Sequence, residues 1–269
     1  MSDASFPASP GFQHVRVVSG AVAELSLARP DARNAMTEAM GEEVTRAVAL
    51  LDADPAVRVV LVRGQGKAFC AGGDLAFLEQ RLASTPAENH RTMRRFYELY
   101  LSIRTLRVPT IALLHGPAMG AGLCFALACD LRLAAHGATM GLNFVRLGLH
   151  PGMGATYLLP RLVGPSVAAD LLLTGRTIDA SEARAIGLVN GVHGLEELHE
   201  RARSLADQIA TAGPLAVTRC KASLQHDRAA LEEALDREAA AQSLDYATQD
   251  LAEGVRAAKE RRAPAFTGR

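Results

Sequence analysis

Apolar and polar positions alternate at period 2 in His14-Val-Arg-Val-Val and again in Ala21-Val-Ala-Glu-Leu-Ser-Leu, on either side of Ser19-Gly20. Successive side chains of a strand point to opposite faces, so this pattern predicts a β-hairpin. The period then changes. Over Thr37 to Ala53, Met40, Val44, Val48 and Leu51 fall at helical spacing, with Thr37 placed to cap the helix and Asp54-Pro55 to end it. Val57 to Arg63 reads as a β-branched strand, and Leu75 to Leu106 as mostly helical with a break near Thr85-Pro86. Thr110 to Leu114 is a short apolar strand, followed by an apolar helix that runs through Cys129. Leu131 to Ala135 and Thr139 to Leu142 read as further strands. Helical segments start near Ser166, Ser181 and Leu195, and Pro214 to Arg262 keeps Ala, Leu, Glu and Arg at helical spacing. Strands alternating with helices, then a mainly helical tail, predict an α/β core with a helical appendage.

Composition narrows the classes. A chain of 269 residues with 49% hydrophobic and 22% charged residues can bury a large core. The formal net charge is zero, from 29 basic and 29 acidic residues, which argues against a nucleic-acid binder. Aromatics make up 4% with no Trp, too few for a base-stacking surface. The opening MSDASFPASPGF lacks the basic and apolar regions of a secretion signal. The longest apolar run, Met119 to Ala128, falls short of the ~18 residues of a membrane span, so no membrane partner is expected. Cys70, Cys124, Cys129 and Cys220 form no CxxC pair, which predicts a reduced, cytoplasmic protein.

The candidate chemistry lies in glycine loops. Gly64-Gln-Gly66 and Gly120-Ala-Gly122 each lack the third glycine of a dinucleotide fingerprint, and Leu61 stands where a Walker loop needs glycine. Gly164-Pro-Ser166 lacks the last glycine of a nucleophile elbow, so Ser166 reads as a helix start. No His/Cys spacing indicates a metal. What remains is two glycine loops, Lys67 to Asp74 and His115 to Gly122, each after a strand and before a helix. Such loops either make tight turns or present backbone N–H groups at a helix N-terminus, where two donors aimed at one oxygen would form an oxyanion hole.

At these loops the chain resembles the crotonase, or enoyl-CoA hydratase/isomerase, superfamily. The resemblance runs from Arg29-Pro-x-x-Arg33-Asn-Ala through Gly66-Lys-Ala-Phe-Cys-Ala-Gly-Gly-Asp, His115-Gly-x-x-x-Gly-Ala-Gly and Ala128-Cys-Asp130. It continues through Leu147-Gly-Leu-His-Pro-Gly-Met-Gly-Ala-Thr, Pro160-Arg-Leu-Val-Gly and Leu173-Thr-Gly-Arg-x-Ile to Ala185-Ile-Gly-Leu-Val. It implies a crotonase-like spiral of ββα units with a helical C-terminal trimerisation region. The organisation expected is a flexible arm at 1–12, the spiral core at 13–200 and the helical region at 201–269. It also implies an acyl-CoA thioester as partner, CoA being part of the substrate with no separate cofactor, and a homotrimer or homohexamer. The implied oxyanion donors are the backbone N–H groups of Gly73 and Ala121. The implied substrate contacts are Arg33, Ala35, Lys67, Ala71, Asp74, Leu75, Cys124, Phe144 and Arg261. Arg33 and Arg261 read equally as surface charges, and Asp74 as a turn or cap residue rather than a base.

The chain departs from the family where hydratases keep two glutamates: Cys124 and Phe144 stand there. Phe cannot ionise, and a buried thiol is inert. Where several isomerases place an acid, this chain has Gly152. His150 is then a candidate acid or base, because imidazole titrates near neutral pH, although a loop histidine is the plainer reading. Glu79, Arg81 and His115 are weaker candidates. The expected function is enolate stabilisation on an acyl-CoA thioester in fatty-acid or related metabolism. Decarboxylation of a CoA- or carrier-bound thioester, or acyl-CoA binding without catalysis, are the alternatives. Phe77 and Arg81 stand where the related decarboxylases place Tyr and Lys, which weakens the first of these. Arg29, Arg33, Lys67, Lys259, Arg261 and Arg262 are expected to form a cationic rim.

Overall fold

Strand β1 (Val15–Val18) turns back on β2 (Val22–Leu27) as the expected antiparallel hairpin, with Val15 opposite Leu27. The computed structural model describes residues 11–225 and 228–269; most of the expected arm, residues 1–10, lies outside them. Helix α1 (Glu38–Ala53) begins where Thr37 accepts a hydrogen bond from the Met40 N–H, so the predicted cap is real. Then β3 (Val59–Gly64) lies parallel to β2. The break predicted near Thr85 separates α2 (Leu75–Arg81) from α3 (Pro86–Leu101), and Thr85 with Glu88 forms a capping box at that point. Strand β4 (Thr110–Leu114) pairs with β3, and β5 (Ala118–Met119) leads into α4 (Ala121–Leu127), which stops two residues short of Cys129.

Strands β6 (Leu131–Ala135) and β7 (Thr139–Gly141) follow. Helix α5 (Ala155–Val163) was not legible, because it starts inside the third glycine loop and carries Pro160. Then come α6 (Pro165–Thr174), β8 (Thr177–Asp179), α7 (Ala180–Ala185), β9 (Gly191–His193) and α8 (Leu198–Ala210). The two short strands are too brief to show a period. Helices α9 (Pro214–Leu224), α10 (Arg228–Asp245) and α11 (Gln249–Glu260) complete the described chain.

Among the described residues the strands form a six-stranded sheet, β1-β2-β3-β4-β6-β9, and a three-stranded one, β5-β7-β8. Sequence alternation predicts a half-exposed β2, yet all six of its residues are buried. The reason is α8: Leu198, Ala202 and Ala206 fall four apart on one face and cover Val22, Val59, Leu61, Ile111 and Leu113. Ala23, Leu25 and Leu27 face the main core on the other side. Helix α8 runs across residue 200, so the expected boundary there cuts a helix that belongs to the sheet layer. No helix among the described residues is long and apolar enough to cross a membrane.

Candidate active site

Because β3 and β4 are parallel neighbours, the loops that leave their carboxyl ends start side by side. That is where ligands bind in open parallel sheets. The loops are joined directly. Cys70 N–H donates to Pro117 O at 3.2 Å, and Met119 N–H donates to Cys70 O at 2.9 Å. His115 adds a third tie, its Nε2 lying 3.0 Å from Gly66 O, and burial lowers its pKa below the ordinary histidine range. Opposite that carbonyl Nε2 carries the proton and donates, so His115 is a structural group here.

Gly73 is held from its other side. Met36 N–H donates to Gly72 O at 2.8 Å and Asp74 N–H to Met36 O at 3.0 Å. In this parallel pattern Gly73's own N–H points away from Met36. Ala121 is the first residue of α4. The first helical bond is Cys124 N–H to Gly120 O, at 3.1 Å, so the Ala121 N–H precedes the ladder. The two segments are in contact: a Cβ on Gly72 would lie 3.7 Å from Ala121 N and 2.8 Å from Met119 O, and Gly72 has φ +96°. Glycine at 72 therefore meets both a backbone conformation and a close approach that other residues cannot.

Asn34 fixes the rim. It is fully buried and accepts the Arg29 N–H at 2.9 Å, while its amide donates to Gln65 O and Ala68 O, each at 2.9 Å. Ala71 N–H donates to Arg33 O at 2.9 Å, so the predicted Arg33, Ala35, Lys67 and Ala71 belong to one pair of bonded loops. Asp74 caps α2 through Ala76 N–H, as the cap reading expects, and lies 3.4 Å from Arg29. Leu75 is the half-buried first residue of that helix.

Cys124 sits one turn along α4. Its thiol donates to Gly152 O at 3.3 Å, and burial, with the Glu238 charge, pushes its pKa well up. Phe144 is buried, and its ring tip would lie 3.9 Å from a Cβ on Gly120, at the start of α4. Phe77 stacks on Phe96 with centroids 5.1 Å apart, and Arg81 lies over Phe77 and donates to Thr92. His150 lies in the third glycine loop. Its Nδ1 faces Pro151 O, and its depression is walled by Val145, Leu172 and Asp245, with neither Gly73 nor Ala121 among the lining residues.

The expected cationic rim is thinner than the sequence implies. Arg29 pairs with Asp74, Lys259 with Glu79, and Arg262 with Glu253 and Glu260. Arg29 and Lys259 are neutralised by acids far along the chain, which linear sequence does not reveal, whereas Arg262 pairs with acids of the helix just before it. Arg33, Lys67 and Arg261 are exposed and form no ion pair among the described residues.

Sequence reading also missed a clamp on the third loop. Glu238, Gln242 and Asp245 lie at i, i+4 and i+7 on one face of α10. Glu238 accepts Gly154 N–H at 2.6 Å, and Thr156 N–H and hydroxyl at 2.8 and 2.6 Å. Gln242 donates to His150 O and accepts the Tyr97 hydroxyl, both at 2.7 Å, and Asp245 accepts His150 N–H at 2.6 Å. Burial raises the Glu238 pKa even against its hydrogen bonds from Thr156 and Gly154. Polar residues at helical spacing read as a solvated face, so no local signal marks them.

Comparison with known proteins agrees with this architecture. The family model described as enoyl-CoA hydratase/isomerase matches residues 18–269. The crotonyl-CoA hydratase of Syntrophomonas wolfei is 39% identical over 247 residues, covering 91% of this chain and 94% of that protein. The mouse mitochondrial enoyl-CoA hydratase domain-containing protein 2 is 40% identical over 257 residues, covering 92% of this chain and 85% of that one. A crystal structure of an enoyl-CoA hydratase from Mycobacterium avium subsp. paratuberculosis superposes with a TM-score of 0.84 at 30% identity, covering 95% of this chain and 99% of that one. With a crotonase-type α/β fold, a C-terminal helical region and a family match over nearly its whole length, the chain belongs to the enoyl-CoA hydratase/isomerase family.

Proposed function

We propose that the protein binds an acyl-CoA thioester with its carbonyl oxygen between the N–H groups of Gly73 and Ala121, and stabilises the enolate that forms there. One observation supports this reading: the two loops are bonded to each other, and a Cβ on Gly72, the neighbour of Gly73, would lie 3.7 Å from Ala121 N at the start of α4. Donors fixed before the reaction stabilise developing negative charge without reorganising. The partial positive charge at the start of α4 acts in the same direction. The nucleotide end of CoA lies along Arg33, Ala35, Lys67 and Ala71, with Arg261 as a further phosphate contact. Those three cations are exposed and form no ion pair among the described residues. Asp74 orients α2 as its cap, and Leu75 contributes apolar surface. CoA enters as part of the substrate, and the working form is a cytoplasmic homotrimer or homohexamer.

For the proton steps, Cys124 and Phe144 replace the carboxylates that would hold and activate water. Burial keeps the thiol protonated, so it serves as a neutral wall. This favours a second reading, in which the enolate forms by loss of carbon dioxide. The bond between the α-carbon and a carboxylate breaks, its electron pair passes into the thioester enolate, and the α-carbon then takes a proton from water. The reaction is read by incubating the protein with enoyl-, 3-hydroxyacyl-, malonyl-type and glutaconyl-CoA thioesters, followed by mass spectrometry and chromatography. Gain of one water assigns a hydratase, loss of one carbon dioxide a decarboxylase, and a shifted double bond at constant mass an isomerase. Binding without change leaves a non-catalytic acyl-CoA-binding protein. If no CoA thioester binds, the reading fails.

A further inference from the structure

A cavity of 520 Å³ opens between the end of α3 and helices α9 and α10, with none of the paired-loop residues in its walls. Leu101, Leu106, Leu231 and Leu235 give it apolar walls, and Arg104 and Arg228 are among its lining residues. Arg104 is half-buried, yet makes no hydrogen bond or ion pair among the described residues. Burial lowers its pKa, and the carboxylate it senses is Asp130. That carboxylate is already committed. One oxygen accepts from Thr110 N–H, the Thr110 hydroxyl and Lys221 Nζ, at 2.8, 2.8 and 2.9 Å, and the other accepts Gln225 Nε2 at 2.9 Å. The two acids that line the cavity, Glu98 and Glu232, are both held by Arg94. Arg228, exposed at the mouth of the cavity, makes no side-chain hydrogen bond or ion pair among the described residues.

A desolvated cation without a partner is costly, whereas one that meets an anion in an apolar recess is favourable. Its size falls within the range of small-molecule pockets. We propose that this cavity is a second ligand site, separate from the paired glycine loops, and that it takes a small carboxylate with an apolar tail. The head group sits on Arg104 and Arg228, and the tail lies against the four leucines.

The test is calorimetric titration of the full chain with octanoate. The expected result is saturable binding of one octanoate per chain that excess CoA does not displace. Arg104→Leu weakens it by about tenfold or more, the usual worth of a hydrogen bond to a charged group. Ala222→Trp, on the exposed rim of the same cavity, weakens it similarly without touching the core. It keeps the test decisive should Arg104→Leu fail to fold. Octanol, which lacks the charge, binds far more weakly. The proposal is overturned if octanoate does not saturate, if CoA displaces it, if octanol binds equally well, or if both variants bind like the parent. A changed sedimentation coefficient in Arg104→Leu also overturns it, because the guanidinium would then belong to a contact between copies.

Discussion

At the residue scale, the proposed chemistry depends on backbone atoms, so the informative substitutions are those that alter the backbone. Gly73→Pro removes one N–H and adds a ring where a half-buried glycine faces Leu78. Loss of a single oxyanion donor costs about 2.7–4 kcal/mol. Turnover should therefore fall by roughly 10² to 10³ in a variant whose circular dichroism matches the parent; parental turnover would remove Gly73 from the site. Gly122 is a packing constraint. A Cβ there would come within 2.5 Å of Cys70 O and 2.7 Å of its sulfur. Gly122→Ala must push α4 away from the first loop, with an expected loss of about 1–3 kcal/mol in urea melts and a parallel loss of turnover. A stable, active Gly122→Ala would show that the two loops need not touch.

At the scale of elements, two buried glutamates respond to pH with opposite sign. Burial pushes Glu24 up, but the hydrogen bond and charge of His199, with Arg63 and Arg203, outweigh it and leave the pKa below the ordinary value of 4.5. Its contribution to stability is complete above that ordinary value and is lost as pH falls through the lowered one. The stability advantage of the parent over Glu24→Gln should thus shrink as urea melts are moved from pH 7 towards pH 3. A constant difference would detach β2 from α8 as an ionic contact. Glu238 runs the other way, because its folded pKa is raised and ionisation costs stability as pH rises. Its carboxylate still accepts three donors from the start of α5. In Glu238→Gln the amide must turn an NH₂ towards one of those donors. An expected loss of about 1–3 kcal/mol follows, read by thermal melting. Equal stability would mean that the third loop holds its shape without α10.

For the whole molecule, a net charge of zero hides an uneven distribution. Lys259 spends its charge on Glu79, tying α11 to α2, whereas Arg33, Lys67 and Arg261 remain unpaired among the described residues. An exposed charge contributes about 0.2–1 kcal/mol to such an interaction, up to about fivefold in Kd. Each of Arg33→Ala, Lys67→Ala and Arg261→Ala should weaken CoA binding by that order, and the loss should fade as salt is raised. Lys259→Ala should leave CoA affinity near the parent value. The reverse ranking in fluorescence or calorimetric titrations would reject the assignment of the CoA entrance.

The elements with short-range signals were legible in the sequence. Thr37 caps α1, the β1–β2 hairpin follows period-2 alternation, and Thr85 interrupts the long helical run, because each depends on neighbours within a few residues. The paired glycine loops were legible too, as an ordered series of motifs, and their adjacency follows from β3 and β4 being parallel neighbours. Tertiary structure alone decided what meets across long separations. Glu238 reaches Gly154 from 84 positions away, and Tyr97 reaches Gln242 from 145. It also decided which cations are cancelled, where the His150 ring lies and which guanidinium is left unpartnered in a cavity. Capping, alternation and turn chemistry are written in local spacing, whereas the partner of a buried polar group is chosen by how the helices pack.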